Sequence, residues 1–119
     1  DVCSSDLAQA IAAACHNYFF MEFTPGQGEP FRMLKKGDVW FTAVMLRGFI
    51  ELYQVDGNKV YLDSFARSLD YAWTHAREDN GLFNTDFTGK SCDNRKWLLT
   101  HAAMVEMYAR LAVFANQSL

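Results

Sequence analysis

Cysteine, proline and unbroken hydrophobic runs are all scarce in this chain of 119 residues, and each scarcity excludes something. Three cysteines, an odd and sparse count, make no disulfide framework. The two prolines, Pro25 and Pro30, share one short stretch, so no other position bars a helix on that account. Nowhere do about 18 apolar residues run uninterrupted, so no membrane span is expected. Lysine and arginine form no run and the formal charge is −3, which argues against nucleic acid as a partner. Neither an initiator methionine nor a signal-peptide pattern opens the sequence.

What the chain has is apolar mass. Half of it is hydrophobic, and ten Phe, five Tyr and three Trp make it 15% aromatic. That composition excludes disorder, and the length suits one domain rather than two.

The first seven residues stand apart. Asp1-Val2-Cys3-Ser4-Ser5-Asp6 followed by Leu7 is what a common sequencing-adapter string, GACGTGTGCTCTTCCGATCT, encodes in one frame. Residues 1–7 are therefore expected to be translated adapter joined to an interrupted gene, with 8–119 the native portion. The parent protein is then expected to be longer than the chain.

Four helices are expected. The first runs from about Leu7 to Met21 and breaks at Thr24-Pro25-Gly26-Gln27-Gly28-Glu29-Pro30. A second starts after Asp38, a good N-cap, and ends at Asp56-Gly57, where glycine suits the left-handed C′ position. Asn58 caps a third, which continues to about Glu78 and stops at Asp79-Asn80-Gly81. The fourth begins near Asp93 or Asn94 and runs to about Asn116, after a polar-aromatic loop from Gly81 to Cys92. The second and fourth are apolar around most of their circumference, broken only by thin stripes (Arg47, Glu51, Gln54; Glu106, Arg110). A helix of that kind is buried on several sides, whereas the third is ordinarily amphipathic. Buried, half-buried, buried is the pattern of inner helices alternating with an outer one in a ring. Two such helices need more covering than this chain supplies, which also points to missing helices.

Particular motifs then call up a family. Leu34-Lys35-Lys36-Gly37-Asp38-Val39-Trp40-Phe41 with Leu46-Arg47-Gly48-Phe49-Ile50-Glu51-Leu52-Tyr53 resembles the later part of glycoside hydrolase family 76, the endo-α-1,6-mannanases. So do Leu69-Asp70-Tyr71-Ala72-Trp73, Asn80-Gly81-Leu82-Phe83, and Lys96-Trp97-Leu98-Leu99-Thr100 with Ala102-Ala103-Met104-Val105-Glu106. The resemblance covers roughly residues 8–116. It implies an all-α fold, part of an (α/α)6 toroid, and a bacterial carbohydrate-active hydrolase cutting α-1,6-linked mannose polymers outside the cytoplasm. It also implies a monomeric parent and no cofactor. The family's catalytic pair is two adjacent aspartates lying earlier in the chain, and no Asp-Asp dipeptide exists here. Retaining hydrolysis needs two carboxyls about 5–5.5 Å apart, whereas the acidic residues here are scattered over helix faces and turns. No catalytic residue is therefore assigned.

In such toroids the substrate groove opens in the loops leading into the inner helices. Substrate contacts are accordingly expected from Lys36, Asp38, Trp40 and Phe41 before the second helix, and from Asn84, Asp86 and Trp97 before the fourth. Aromatic faces stack on sugar rings while polar groups fix hydroxyls, which suits this mixture. Competing readings are plain: core packing for Trp40 and Trp97, an N-cap for Asp38, solvation for the lysines, a satisfied core histidine for His101. No zinc spacing, EF-hand loop, dinucleotide fingerprint or catalytic triad is present, and no metal is expected. The rival functions are another (α/α)6 enzyme, either an unsaturated glucuronyl hydrolase or a sugar epimerase, and a non-catalytic helical interaction module.

Overall fold

The computed structural model describes residues 2–117, so Asp1 of the suspected adapter stretch lies outside the described residues. Its elements are α1 (Val2–Phe19), β1 (Phe20–Phe23), β2 (Phe31–Leu34), α2 (Val39–Asp56), α3 (Val60–His75) and α4 (Leu98–Gln117). The second helix has the bounds its caps announce. Asp38 accepts a hydrogen bond from Trp40 N at 3.1 Å, and Gly57 ends the helix in the left-handed region, its N–H donating to Tyr53 O at 2.8 Å. Asn58 Oδ1 likewise accepts from Val60 N at 3.0 Å as α3 begins.

Four expected boundaries are corrected, the first being the start of α1, which lies at Val2 rather than about Leu7. The first helix stops at Phe19, and Phe20 and Met21 open an antiparallel hairpin that pairs Phe20 with Leu34 and Phe23 with Phe31. The Pro/Gly stretch is the turn of this hairpin rather than a simple break. Arg32 explains the switch, because its Nη2 donates to the carbonyls of His16, Asn17 and Phe20 at 2.9, 3.1 and 3.0 Å. Carbonyls at the end of α1 that have no helical partner are satisfied from the facing strand. The third helix ends at His75, three residues short of Glu78, because Arg77 bridges to Phe83 in a small antiparallel turn. The fourth starts only at Leu98, since Asp93 and Lys96 are taken up by the preceding loop.

The hairpin lies on α3. Ser68, fully buried, accepts from Leu34 N at 3.1 Å and holds Ser64 O at 2.8 Å, clasping strand to helix without an unpaired polar atom. Phe20 meets Phe65 edge-on, and Phe49 of α2 contacts both Phe65 and Tyr61. His16 Nε2 lies 2.8 Å from Ser64 Oγ in the same layer. Burial, and then the Arg32 charge, lower the His16 pKa. Helices α2 and α4 run in the same direction. Arg47 clamps Glu106 through two bonds of 2.6 and 2.7 Å near the middle of both, and farther along Tyr53 meets Phe114. With α3 returning between them, tied to α4 by Tyr108 OH on Leu69 O at 2.6 Å, the helices alternate as consecutive members of an α/α ring do.

The ring is open. The chain exposes 7487 Å², against roughly 6,600 Å² for a closed monomer of this mass. Many of the exposed apolar side chains line two flanks. Leu7, Ile11, Phe19, Phe41 and Val44 are exposed along α1 and α2, beside a groove of about 430 Å³, and Leu98, Leu99, Val105 and Val113 are exposed along α4. The stretch Leu98–Asn116 is long and apolar enough to cross a membrane by length and composition, with only 22% of it buried. An inner helix missing a neighbour has the same composition.

Candidate functional site

Both loops singled out in the sequence stand at one end, because α2 and α4 are parallel and each loop leads into one of them. They touch. Lys36 Nζ reaches Ser91 Oγ at 3.4 Å and Asp93 Oδ1 at 4.0 Å, joining the segment before α2 to the one before α4.

The longer loop is built around polar side chains turned inward. Asn84, 4% exposed, accepts from Asp93 N at 2.8 Å and Lys96 Nζ at 2.7 Å, while its own Nδ2 lies 3.4 Å from Ala76 O. Lys96 also donates to Asp93 O at 2.8 Å and pairs with Glu78 at 2.6 Å. Hydrogen bonds from Lys96, then Asn84, hold Glu78 below the usual carboxylate range. Asp86 accepts from the backbone N–H and hydroxyl of both Thr88 and Ser91. Burial raises the Asp86 pKa, but those four donors outweigh it and leave the carboxyl lowered. Asp93 in turn takes Thr85 N at 2.6 Å and Thr85 Oγ1 at 3.0 Å. Gly89 is obligatory in this loop: its φ is +76°, and a Cβ there would collide with His75 O.

The sequence-picked residues thus fall into two groups. Asn84 and Asp86 hold the loop together, with their polar atoms committed inside it. Asp38 caps α2 through Trp40 N. Lys36 and Phe41 line a groove of about 440 Å³ with Tyr18, Phe19 and Lys35, and Trp97 lines a second, of about 570 Å³, with Asp93, Arg95 and His101. Phe41, Trp97 and, less fully, Trp40 are exposed rather than packed in this chain's core. His101 is satisfied: Nε2 accepts from Phe83 N at 2.9 Å, which leaves Nδ1 to donate to Trp97 O at 2.7 Å. Sequence reading did not select Tyr18, whose ring lies 5.3 Å from Lys35 Nζ, or Arg95. The paired aromatics at the end of the first helix were the available signal for Tyr18. Among the described residues no group of three His, Cys, Asp or Glu is placed to hold a metal ion.

No family model matches the sequence, and no curated protein is significantly similar to it. Solved structures are. One is a family 76 glycoside hydrolase from a bovine Bacteroides thetaiotaomicron strain, 35% identical with a TM-score of 0.88 over 92% of this chain. Another is a family 76 glycoside hydrolase, described as a mannosidase, from B. thetaiotaomicron VPI-5482, 36% identical with a TM-score of 0.88 over 96%. The chain carries a segment of the glycoside hydrolase family 76 fold. It spans 24% and 31% of those two structures' lengths. The four helices of this family 76 segment therefore match part of an α/α toroid.

Proposed function

We propose that the chain is the C-terminal portion of a family 76 catalytic domain that hydrolyses α-1,6-mannosidic linkages with retention of configuration. Its nucleophile and acid/base are an aspartate pair outside these residues. The observation that carries this reading is the superposition of nearly the whole chain on two family 76 enzymes, with the two candidate loops meeting at one end through Lys36. In this reading Trp40, Phe41 and Trp97 supply flat apolar faces for sugar rings, with Lys36 and Asp38 beside them for hydroxyls. Asn84 and Asp86 serve the same surface indirectly, by holding rigid the loop that ends in Trp97. The substrate is a mannan-type glycan met outside the cytoplasm, in bacteria that degrade such polymers, and the parent acts as a monomer. Residues 1–7 are an adapter remnant.

The isolated chain is expected to be inactive, because retaining hydrolysis needs both carboxyls. The test is an assay of the longest reading frame containing residues 8–119. Release of reducing ends from α-1,6-mannan, with the product's anomeric configuration retained, supports the proposal. Activity on unsaturated uronides or sugar epimerisation, with mannan untouched, overturns the substrate. Hydrolysis of mannan by the 119-residue chain alone overturns the placement of the catalytic pair.

A further inference from the structure

Five of the six asparagines (Asn17, Asn58, Asn84, Asn94 and Asn116) are followed by residues with side chains, and Asn80 alone precedes a glycine. Asn80-Gly81 forms the tip of the small turn between Arg77 and Phe83, with both residues exposed. Gly81 adopts φ +87° and has no side chain to shield its backbone nitrogen, and no atom lies within 4 Å of the space a Cβ would occupy. Asn80 Oδ1 accepts from Leu82 N at 3.0 Å. A hydrogen bond to the side-chain carbonyl oxygen polarises its carbon toward attack.

We propose that Asn80-Gly81 is a self-modification site, at which the Gly81 nitrogen attacks Cγ of Asn80 and closes a succinimide. The N–Cγ bond forms, the Cγ–Nδ2 bond breaks, and the Gly81 nitrogen gives up its proton to solvent. The side-chain nitrogen takes a proton and leaves as ammonia. Water then opens the ring at either carbonyl, giving aspartate or isoaspartate. Mildly alkaline conditions favour the first step because the attacking nitrogen must lose its proton. One hydrogen bond opposes it: Gly81 N donates to Glu78 O at 2.8 Å and must let go first. In the folded turn the reaction is therefore slower than in the unfolded chain.

The product matters to the neighbouring loop. The ring nitrogen has no hydrogen for Glu78 O, and the new carboxylate lies beside Glu78 and Asp79. Glu78 is the partner of Lys96, which holds Asn84 and the segment leading to Trp97. Asn84 itself is spared, being buried, hydrogen-bonded at both amide atoms and followed by the β-branched Thr85.

The test ages the folded chain in mildly alkaline buffer at body temperature and follows the tryptic peptide Glu78 to Lys90 by mass spectrometry. The expected result is a gain of one mass unit assigned by fragment ions to Asn80, resolved into aspartate and isoaspartate peaks. It should accumulate several-fold faster than at Asn17, Asn58 or Asn94, and be absent from the Asn80→Gln variant. A rate at Asn80 no greater than at those three overturns the proposal. So does a gain that appears only in denaturant.

Discussion

The side of the molecule built from α3 and the hairpin and the flank formed by α4 draw on similar residues and use them oppositely. Phe20, Met33, Phe65 and Leu69 are sealed, and the buried polar residues among them, Ser64 and Ser68, are hydrogen-bonded. On α4, Met104 and Met107 are buried, yet Leu98 and Val105 on the same helix are 81% and 69% exposed. Hydrophobicity is a property of the sequence, but burial is a property of the neighbours. Where a helix is apolar all round and only one side is covered, the excess measures what is missing.

The largest effect is expected where the seal is complete. Phe65→Ala should destabilise the chain by about 3–5 kcal/mol in denaturant titration, because it opens a cavity under Phe20 and Phe49. A loss below about 1 kcal/mol would mean this layer is no better packed than the flanks.

The two glycines Gly89 and Gly48 come next and should move stability in opposite directions. Gly89→Ala puts a methyl group onto His75 O at a positive φ and should cost more than about 1 kcal/mol, loosening the loop before α4. Gly48→Ala, at an open mid-helix position in α2, should stabilise by about 0.5–1 kcal/mol.

Acid should act through the clamp between the parallel helices. Hydrogen bonding to Arg47 leads the causes that hold Glu106 at about 2 against an ordinary 4.5. A lowered carboxylate contributes stability above its unfolded value, and that contribution is lost as pH falls from about 4.5 toward about 2. His16 acts in the same direction from higher pH, since below its ordinary 6.5 the unfolded chain takes up a proton that the folded one resists. Glu106→Gln should flatten the lower part of this decline and leave the upper part, which His16→Gln should flatten instead. An unchanged profile in both variants would remove these groups from the acid response.

The smallest effect belongs to the open flank. Val105→Ser should change stability by less than about 0.5 kcal/mol while reducing self-association and dye binding, because the side chain is largely exposed.

How far the sequence could be read depended on whether a residue's partner was close along the chain. Asp38 and Gly57 act on atoms two to four residues away, so α2 was placed correctly at both ends. The hairpin was not foreseen, because its strands are short and apolar and follow directly on α1. The residue that ends the helix, Arg32, works from the far strand. Helix α4 was started too early for the same reason: Asp93 and Lys96 look like helix-initiating polar residues until Thr85, Asn84 and Glu78 fold back onto them. Asn84 and Asp86 were selected as polar loop residues, and nothing in a sequence says whether such a side chain faces solvent or its own backbone. The ring architecture was legible, because α2 and α4 carry only thin polar stripes, a pattern that fits inner helices of a ring.

We propose that these residues are one part of a longer ring. Long-read sequencing of the source DNA across the junction before codon 8 tests it most directly. The expected result is an open frame running on upstream, the adapter gone, with two adjacent aspartates on an inner helix. A start codon followed by native coding sequence for Asp1 to Leu7 would contradict it.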